Sequence, residues 1–274
     1  MLPRILTALG LFAVILPFAW LSSVQWFLQA VSAVLTLTLM EWLRLLSLGR
    51  GPCLAVSVAF FAMTTLLLHN GYVDPYTLAP TVLVLACLGW VGTLYFALAK
   101  GRLLSGVGAG LWAFFACFAA WVAVWVGREQ GLTVLLLAVI LVWVADTGAY
   151  FSGKRFGRMR LAPSISPGKT WEGVLGAVVL NMVVLVGLAS WLPYGWNWTT
   201  AYRWGYPILA IAVLAFTCLS VAGDLFQSVL KRRAGVKDSG HLLPGHGGLY
   251  DRLDAAIVVM PFTVLTQLWS ESRL

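Results

Sequence analysis

Residues 206–226 read YPILAIAVLAFTCLSVAGDLF, an apolar run broken by small residues, with a single carboxylate, Asp224, near its end. The hydrocarbon core of a bilayer is about 30 Å thick, so a helix needs about 20 mostly apolar residues to cross it. The run meets that length, and it lacks the period-two alternation of a barrel strand. Working outward, comparable runs recur at Ile5–Leu21, Val24–Leu39, Cys53–Leu68, Leu78–Ala99, Leu104–Val126, Leu132–Phe151, Trp171–Leu192 and Ala255–Trp269. The fold class is therefore an all-α polytopic membrane protein of about nine transmembrane helices.

Composition agrees. Of the 274 residues, 61% are hydrophobic and only 10% charged, where a soluble domain carries charge on about a quarter of its positions. Disordered, collagenous and disulfide-stapled classes are excluded with the soluble one. Cys53, Cys87, Cys117 and Cys218 all lie in apolar runs without CxxC spacing and read as small buried hydrophobes. No small-x-small cleavage site follows the first run, so a retained span is expected there rather than a cleaved signal. Gly106, Gly108 and Gly110 are expected to permit close helix packing.

The formal charge of +8 is explained by topology, with no call for nucleic acid. With a cytoplasmic N-terminus, Arg4, Arg44, Arg50, Lys100, Arg102, Lys154, Arg155, Arg158, Arg160, Lys169, Lys231, Arg232, Arg233, Lys237 and Arg252 all fall inside. Only Arg128, Arg203 and Arg273 fall outside. The opposite orientation inverts that ratio.

The chain divides functionally. Residues 1–130 read as scaffold helices, with Glu41 and Arg44 forming a solvated pair at a helix end. Residues 131–274 read as a catalytic transmembrane region with two basic cytoplasmic loops. The first of these loops is flanked by Asp146-Thr147-Gly148-Ala149-Tyr150 and by Ser166-Pro167-Gly168-Lys169-Thr170-Trp171-Glu172-Gly173. Gly168-Lys169-Thr170 is not a Walker A motif, because the required earlier glycine is Pro163 and no strand is expected before it. A turn at Pro167-Gly168, free amides at a helix start and Lys169 nonetheless suit a phosphate.

The second loop carries the stronger signal. Asp224 sits at a depth where a carboxylate is costly, which marks a functional site. Beyond it come Ser228, Lys231-Arg232-Arg233, Lys237-Asp238, Gly240-His241, Pro244-Gly245-His246-Gly247-Gly248, Asp251-Arg252 and Asp254. A positive-inside loop accounts for the cations but not for the three aspartates among them. Interleaved carboxylates and cations fit a metal–polyphosphate site, carboxylates holding Mg²⁺ and Lys or Arg neutralising phosphate oxygens.

The segment Ser228–Asp254 resembles, position for position, the signature of the phosphatidate cytidylyltransferases (CDP-diglyceride synthases). It does so through Ser228, Lys231-Arg232, Lys237-Asp238, Gly240, Pro244, His246-Gly247-Gly248, Asp251-Arg252 and Asp254. The two upstream segments resemble the family's bacterial members. The specific resemblance covers about the last 130 residues. It implies the reaction CTP + phosphatidate → CDP-diacylglycerol + pyrophosphate, with Mg²⁺ and room for a second metal ion. It also implies a cytosol-facing polar cavity in the C-terminal half, a homodimer, and residence in the bacterial inner membrane among membrane lipids.

On that basis Asp224 and Asp251 are expected to hold the metal, and Lys169, Lys237 and Arg252 to act on the reacting phosphates. Lys231, Arg232, Ser228, His246, Gly247 and Gly248 are expected to bind substrate phosphate. Asp146, Glu172, Asp238 and Asp254 are further ligands or partners of the ligands. Two rivals are a CTP-dependent polyprenol kinase-like transferase and an ion-coupled transporter. The transporter requires charges lining a route to the outer face, and here they gather at the inner ends.

Overall fold

The structure, a computed structural model, describes residues 17–69, 73–242 and 247–271. Among them, eight helices are long and apolar enough to cross a membrane. They are α1 (Val24–Leu45), α2 (Arg50–His69), α3 (Pro75–Ala99), α4 (Gly106–Gln130), α5 (Leu132–Phe156), α6 (Trp171–Trp191), α8 (Tyr206–Arg233) and α9 (Tyr250–Ser270). A short helix, α7 (Trp196–Trp204), precedes α8. The expected span Ile5–Leu21 lies, apart from residues 17–21, outside the described residues.

Local chemistry sets the boundaries. Ser23 caps α1 by accepting from the Trp26 amide at 3.4 Å, and Asp74 caps α3 from the Tyr76 amide at 3.2 Å with Pro75 at the first helical position. The expected spans at Cys53–Leu68 and Ala255–Trp269 are full-length helices, because their polar ends, Arg50 and Tyr250–Asp254, continue the helix beyond the apolar run. Likewise α8 continues past Phe226 through the basic Lys231-Arg232-Arg233 end, where cations suit a helix C-terminus.

Three expectations are corrected. Pro167 and Gly168 do not make a turn: they lie in strand β2 (Ser166–Thr170), which pairs antiparallel with β1 (Arg160–Ala162), and the turn is at residues 163–165. Gly106 and Gly108 have no neighbour where a Cβ would stand, so close packing of α4 rests on its buried alanines, Ala113, Ala116, Ala119, Ala120 and Ala123. Cys218 is exposed on the bundle surface, whereas the other three cysteines are buried.

Glycines give close packing elsewhere, between α5 and α6. A Cβ on Gly148 would stand 2.8 Å from the Gly176 carbonyl oxygen, one on Gly176 would strike the Ser152 side chain, and one on Gly173 would stand 3.0 Å from the Ala149 carbonyl. The two helices thus form a tight hairpin, with β1–β2 as its tip. The buried Asn181 ties it to α8, donating to the Leu141 carbonyl (3.1 Å) and to Thr217 Oγ1 (2.9 Å). In the same way Gly223 lets α8 approach α9, its Cβ position being 3.2 Å from the Asp254 carbonyl.

Candidate active site

These two close approaches bring the charges together. Asp146 on α5, Asp224 on α8, Asp254 on α9 and Lys169 on β2 all lie within electrostatic range of one another. Arg252 is within the same range of Asp146. Lys169 Nζ contacts Asp224 Oδ2 at 2.5 Å. Thr170, the residue after Lys169, caps α6 by accepting from the Gly173 amide at 3.1 Å. The strand-to-helix junction therefore fixes the backbone that carries the lysine.

A second lysine–aspartate pair joins α8 to α9, with Lys231 two turns beyond Asp224 on α8 and Asp251 one turn before Asp254 on α9. Lys231 Nζ donates to Asp251 Oδ1 at 2.7 Å, and both side chains are largely shielded. Gln227, one helical turn before Lys231 on α8, donates to the same oxygen at 3.1 Å. The other oxygen, Oδ2, receives the Ser239 amide (2.8 Å) and the Gly248 amide (3.0 Å) and lies 3.0 Å from the Ser239 hydroxyl. The two oxygens thus have different partners: Oδ2 is bound by the loop, while Oδ1 is held by two side chains of α8.

The remaining expected residues divide. Arg232 reaches away from the aspartates and donates from Nε to the Ile165 carbonyl at 3.2 Å, fastening the hairpin turn to the end of α8. Glu172 accepts from the Met159 amide through both oxygens (3.1 and 3.3 Å) and closes the hairpin base. Lys237 and Asp238 are exposed on the loop. Ser228 is half-buried on α8. Gly247 has a positive φ of 80°, and its Cβ position is 2.9 Å from Asp251 Oδ2, so a side chain there is both strained and obstructed. His246 lies outside the described residues.

One participant was not anticipated. Glu41 does not form a solvated pair with Arg44: it is 1% exposed. Its Oε2 accepts from the Ser239 hydroxyl and from the Tyr250 amide, each at 2.9 Å. Beside it Trp42 stacks on the Tyr250 ring, with centroids 4.9 Å apart and planes at 14°. The available sequence signal was a carboxylate inside α1 rather than beyond it, four residues before the helix end.

Comparison with known proteins places this arrangement. The model of the family described as "Cytidylyltransferase family" matches residues 2–269. The phosphatidate cytidylyltransferase of Pseudomonas aeruginosa is 35% identical over 282 aligned positions, covering 97% of this chain and 96% of that protein. That of Haemophilus influenzae is 46% identical over 135 residues, which is 48% of this chain and 45% of the relative's length. That of Bacillus subtilis is 41% identical over 136 residues, 49% of this chain and 47% of the relative's length. With a family model spanning nearly the whole sequence and a full-length relative at this identity, the chain belongs to the cytidylyltransferase family.

Proposed function

We propose that this chain is a phosphatidate cytidylyltransferase, joining CTP and phosphatidate to give CDP-diacylglycerol and pyrophosphate in phospholipid biosynthesis. The observation that carries the reading is the two lysine–aspartate pairs, Lys169–Asp224 and Lys231–Asp251, assembled from β2, α8 and α9. In this reaction a phosphate oxygen of the lipid attacks the α-phosphorus of CTP, and the bond from that phosphorus to the bridging oxygen of the β-phosphate breaks. The nucleophile is already anionic, so no serine, cysteine or histidine need supply it. The obstacle is the approach of one anion to another, which is lowered by fixed cations. Lys169 and Lys231 would each exchange a carboxylate for a phosphate oxygen. Arg252, on the first turn of α9, and Lys237, on the loop, would add charge as pyrophosphate departs.

The residues fit Mg²⁺. Carboxylate oxygens are the hard donors it takes, and Asp251 Oδ1 is held by the Lys231 and Gln227 side chains alone among the described residues. Among the described residues no three ligating side chains already converge on one point. Magnesium is commonly held by one or two carboxylates together with substrate phosphates. Asp224 and Asp251 would hold it, with Asp146 and Asp254 as further oxygen donors for it or for a second ion. When bound it supplies charge neutralisation and orientation of the nucleotide phosphates.

The site would face the cytoplasm of the bacterial inner membrane, an orientation supported by the gathering of 15 of the 18 basic residues on that side. The homodimer belongs to the same proposal and is read by mass measurement in detergent. The deciding experiment incubates purified protein with Mg²⁺, phosphatidate and CTP labelled at the α or the γ phosphate. The α label enters the lipid and the γ label leaves in pyrophosphate; transfer of the γ label to the lipid would establish a kinase instead.

A further inference from the structure

We propose that Glu41, contributed by α1 from the opposite end of the chain, is a positioning residue for the reaction. It caps α9 from another helix and holds the loop residues Ser239, Gly240 and Gly248 against it. The inference rests on the proposed function above for its catalytic consequence, though not for the contact itself.

The first amides of a helix have no partner within it. Leu249, at the cap position of α9, makes no side-chain capping bond. The Tyr250 amide instead donates to Glu41 Oε2, 209 residues away in sequence. The same oxygen accepts from the Ser239 hydroxyl, which also lies 3.0 Å from Asp251 Oδ2. One buried carboxylate therefore meets both strands of the loop: the descending one at Ser239 and the first turn of the helix that carries Asp251, Arg252 and Asp254. A negative charge at a helix N-terminus is also favoured by the helix dipole.

The glycines of the loop give independent support. A Cβ on Gly240 would strike Glu41 Oε1, and one on Gly248 would strike Glu41 Oε2. Neither position has the positive φ that would otherwise demand glycine. The lack of a side chain at both is explained by the close approach of the loop backbone to this carboxylate. Glu41 Oε1 is buried and has no hydrogen-bond partner among the described residues. That isolated oxygen is a cost that a purely packing role would not require, since an apolar side chain could fill the same space.

The test compares Glu41→Ala and Glu41→Gln with the native protein, each purified as a monodisperse species in detergent. Two readouts are taken: steady-state rates over CTP and Mg²⁺ titrations, and hydrogen exchange of peptides covering residues 238–255. Loss of hydrogen bonds to a charged acceptor corresponds to about ten- to a hundredfold. For Glu41→Ala, kcat is expected to fall by that factor, half-maximal activity to require more Mg²⁺, and exchange at residues 248–252 to quicken by about as much. Glu41→Gln, which keeps an acceptor oxygen, is expected to recover part of both. Native kcat and native Mg²⁺ dependence in the alanine variant, or unchanged exchange in the loop, would overturn the proposal. Quickened exchange in a protein whose native form makes no CDP-diacylglycerol would leave the cap standing and remove the proposed function.

Discussion

Replacing Asp251 by asparagine separates the two jobs of its carboxylate. The amide oxygen can still accept from the Ser239 and Gly248 donors that now bind Oδ2, so the loop keeps its anchor. The amide nitrogen then faces Lys231 and Gln227, both donors, and the lysine, whose side chain is only 17% exposed, has lost its partner. A hydrogen bond to a charged group contributes about 1.5–3 kcal/mol. The lower half of that range is expected, because the residual exposure of Lys231 lets water reach the ammonium group. For a chain of this size that is a fall of roughly 3–8 °C in apparent melting temperature. Adding Lys231→Met to Asp251→Asn removes the stranded cation. Replacing both partners of a shielded pair by neutral groups is often near neutral, so the double variant is expected to regain more than half of the lost stability. Activity behaves differently: both variants lack a proposed metal ligand and are expected to lose about a hundredfold or more in kcat. Thermal unfolding in detergent and α-labelled CTP incorporation measure the two effects separately. A double variant no more stable than Asp251→Asn alone would refute the reasoning about the pair, and native activity over a Mg²⁺ titration would remove Asp251 from the metal site.

Four further outcomes are expected. Lys169→Met, which leaves Asp224 without its cation, should lower kcat/KM for CTP by about a hundredfold, read as CDP-diacylglycerol formed per folded molecule. Glu172→Gln keeps an acceptor for the Met159 amide and should change activity by less than about threefold; a hundredfold loss would restore Glu172 to the metal site. Gly176→Val places a side chain against Ser152 and the Gly148 carbonyl and should separate α5 from α6, seen as a collapse in the yield of monodisperse protein. Chelation of divalent metal by EDTA should abolish label transfer, and added Mg²⁺ should restore it in full.

The membrane class and the placement of most spans were legible because hydropathy integrates over 20 residues, and single errors average out. The helix ends were less so. Tyr250, Asp251 and Asp254 look like loop residues by hydropathy, yet they lie in the opening turns of α9, and Asp251 is in the first turn, where acids are favoured by the unpaired amides. The β1–β2 hairpin was not anticipated because Pro167 and Gly168 ordinarily break strands. Its pairing is stabilised instead from outside, by Glu172 on the Met159 amide and by Arg232 on the Ile165 carbonyl. In the site, Asp224 was conspicuous from its depth, and Asp251 from its mixed-charge surroundings. Their lysine partners could not be assigned from spacing, since Lys169 is 55 positions from Asp224 and depends on two helix crossings to reach it. Glu41 was misread for a related reason. An acid three residues from an arginine at a helix end usually makes a solvated pair, and only the tertiary fold places a loop backbone against it.

The low charge content takes on a different meaning once these partners are known. A membrane protein can satisfy the positive-inside rule with isolated, solvated lysines, and such residues need no carboxylate neighbours. Here Lys169 and Lys231 are each partly shielded and each matched to an aspartate, an arrangement whose desolvation usually offsets much of its attraction. Two such pairs are therefore weak devices for stability alone. Under the proposed function they make better sense as a site held ready: each lysine would keep a carboxylate neutralised until a polyanion competes for the cation, and each aspartate would then be released toward a metal. The supports are built accordingly, with glycines at Gly148, Gly173, Gly176 and Gly223 fixing the helices while the exchanging groups sit on side chains.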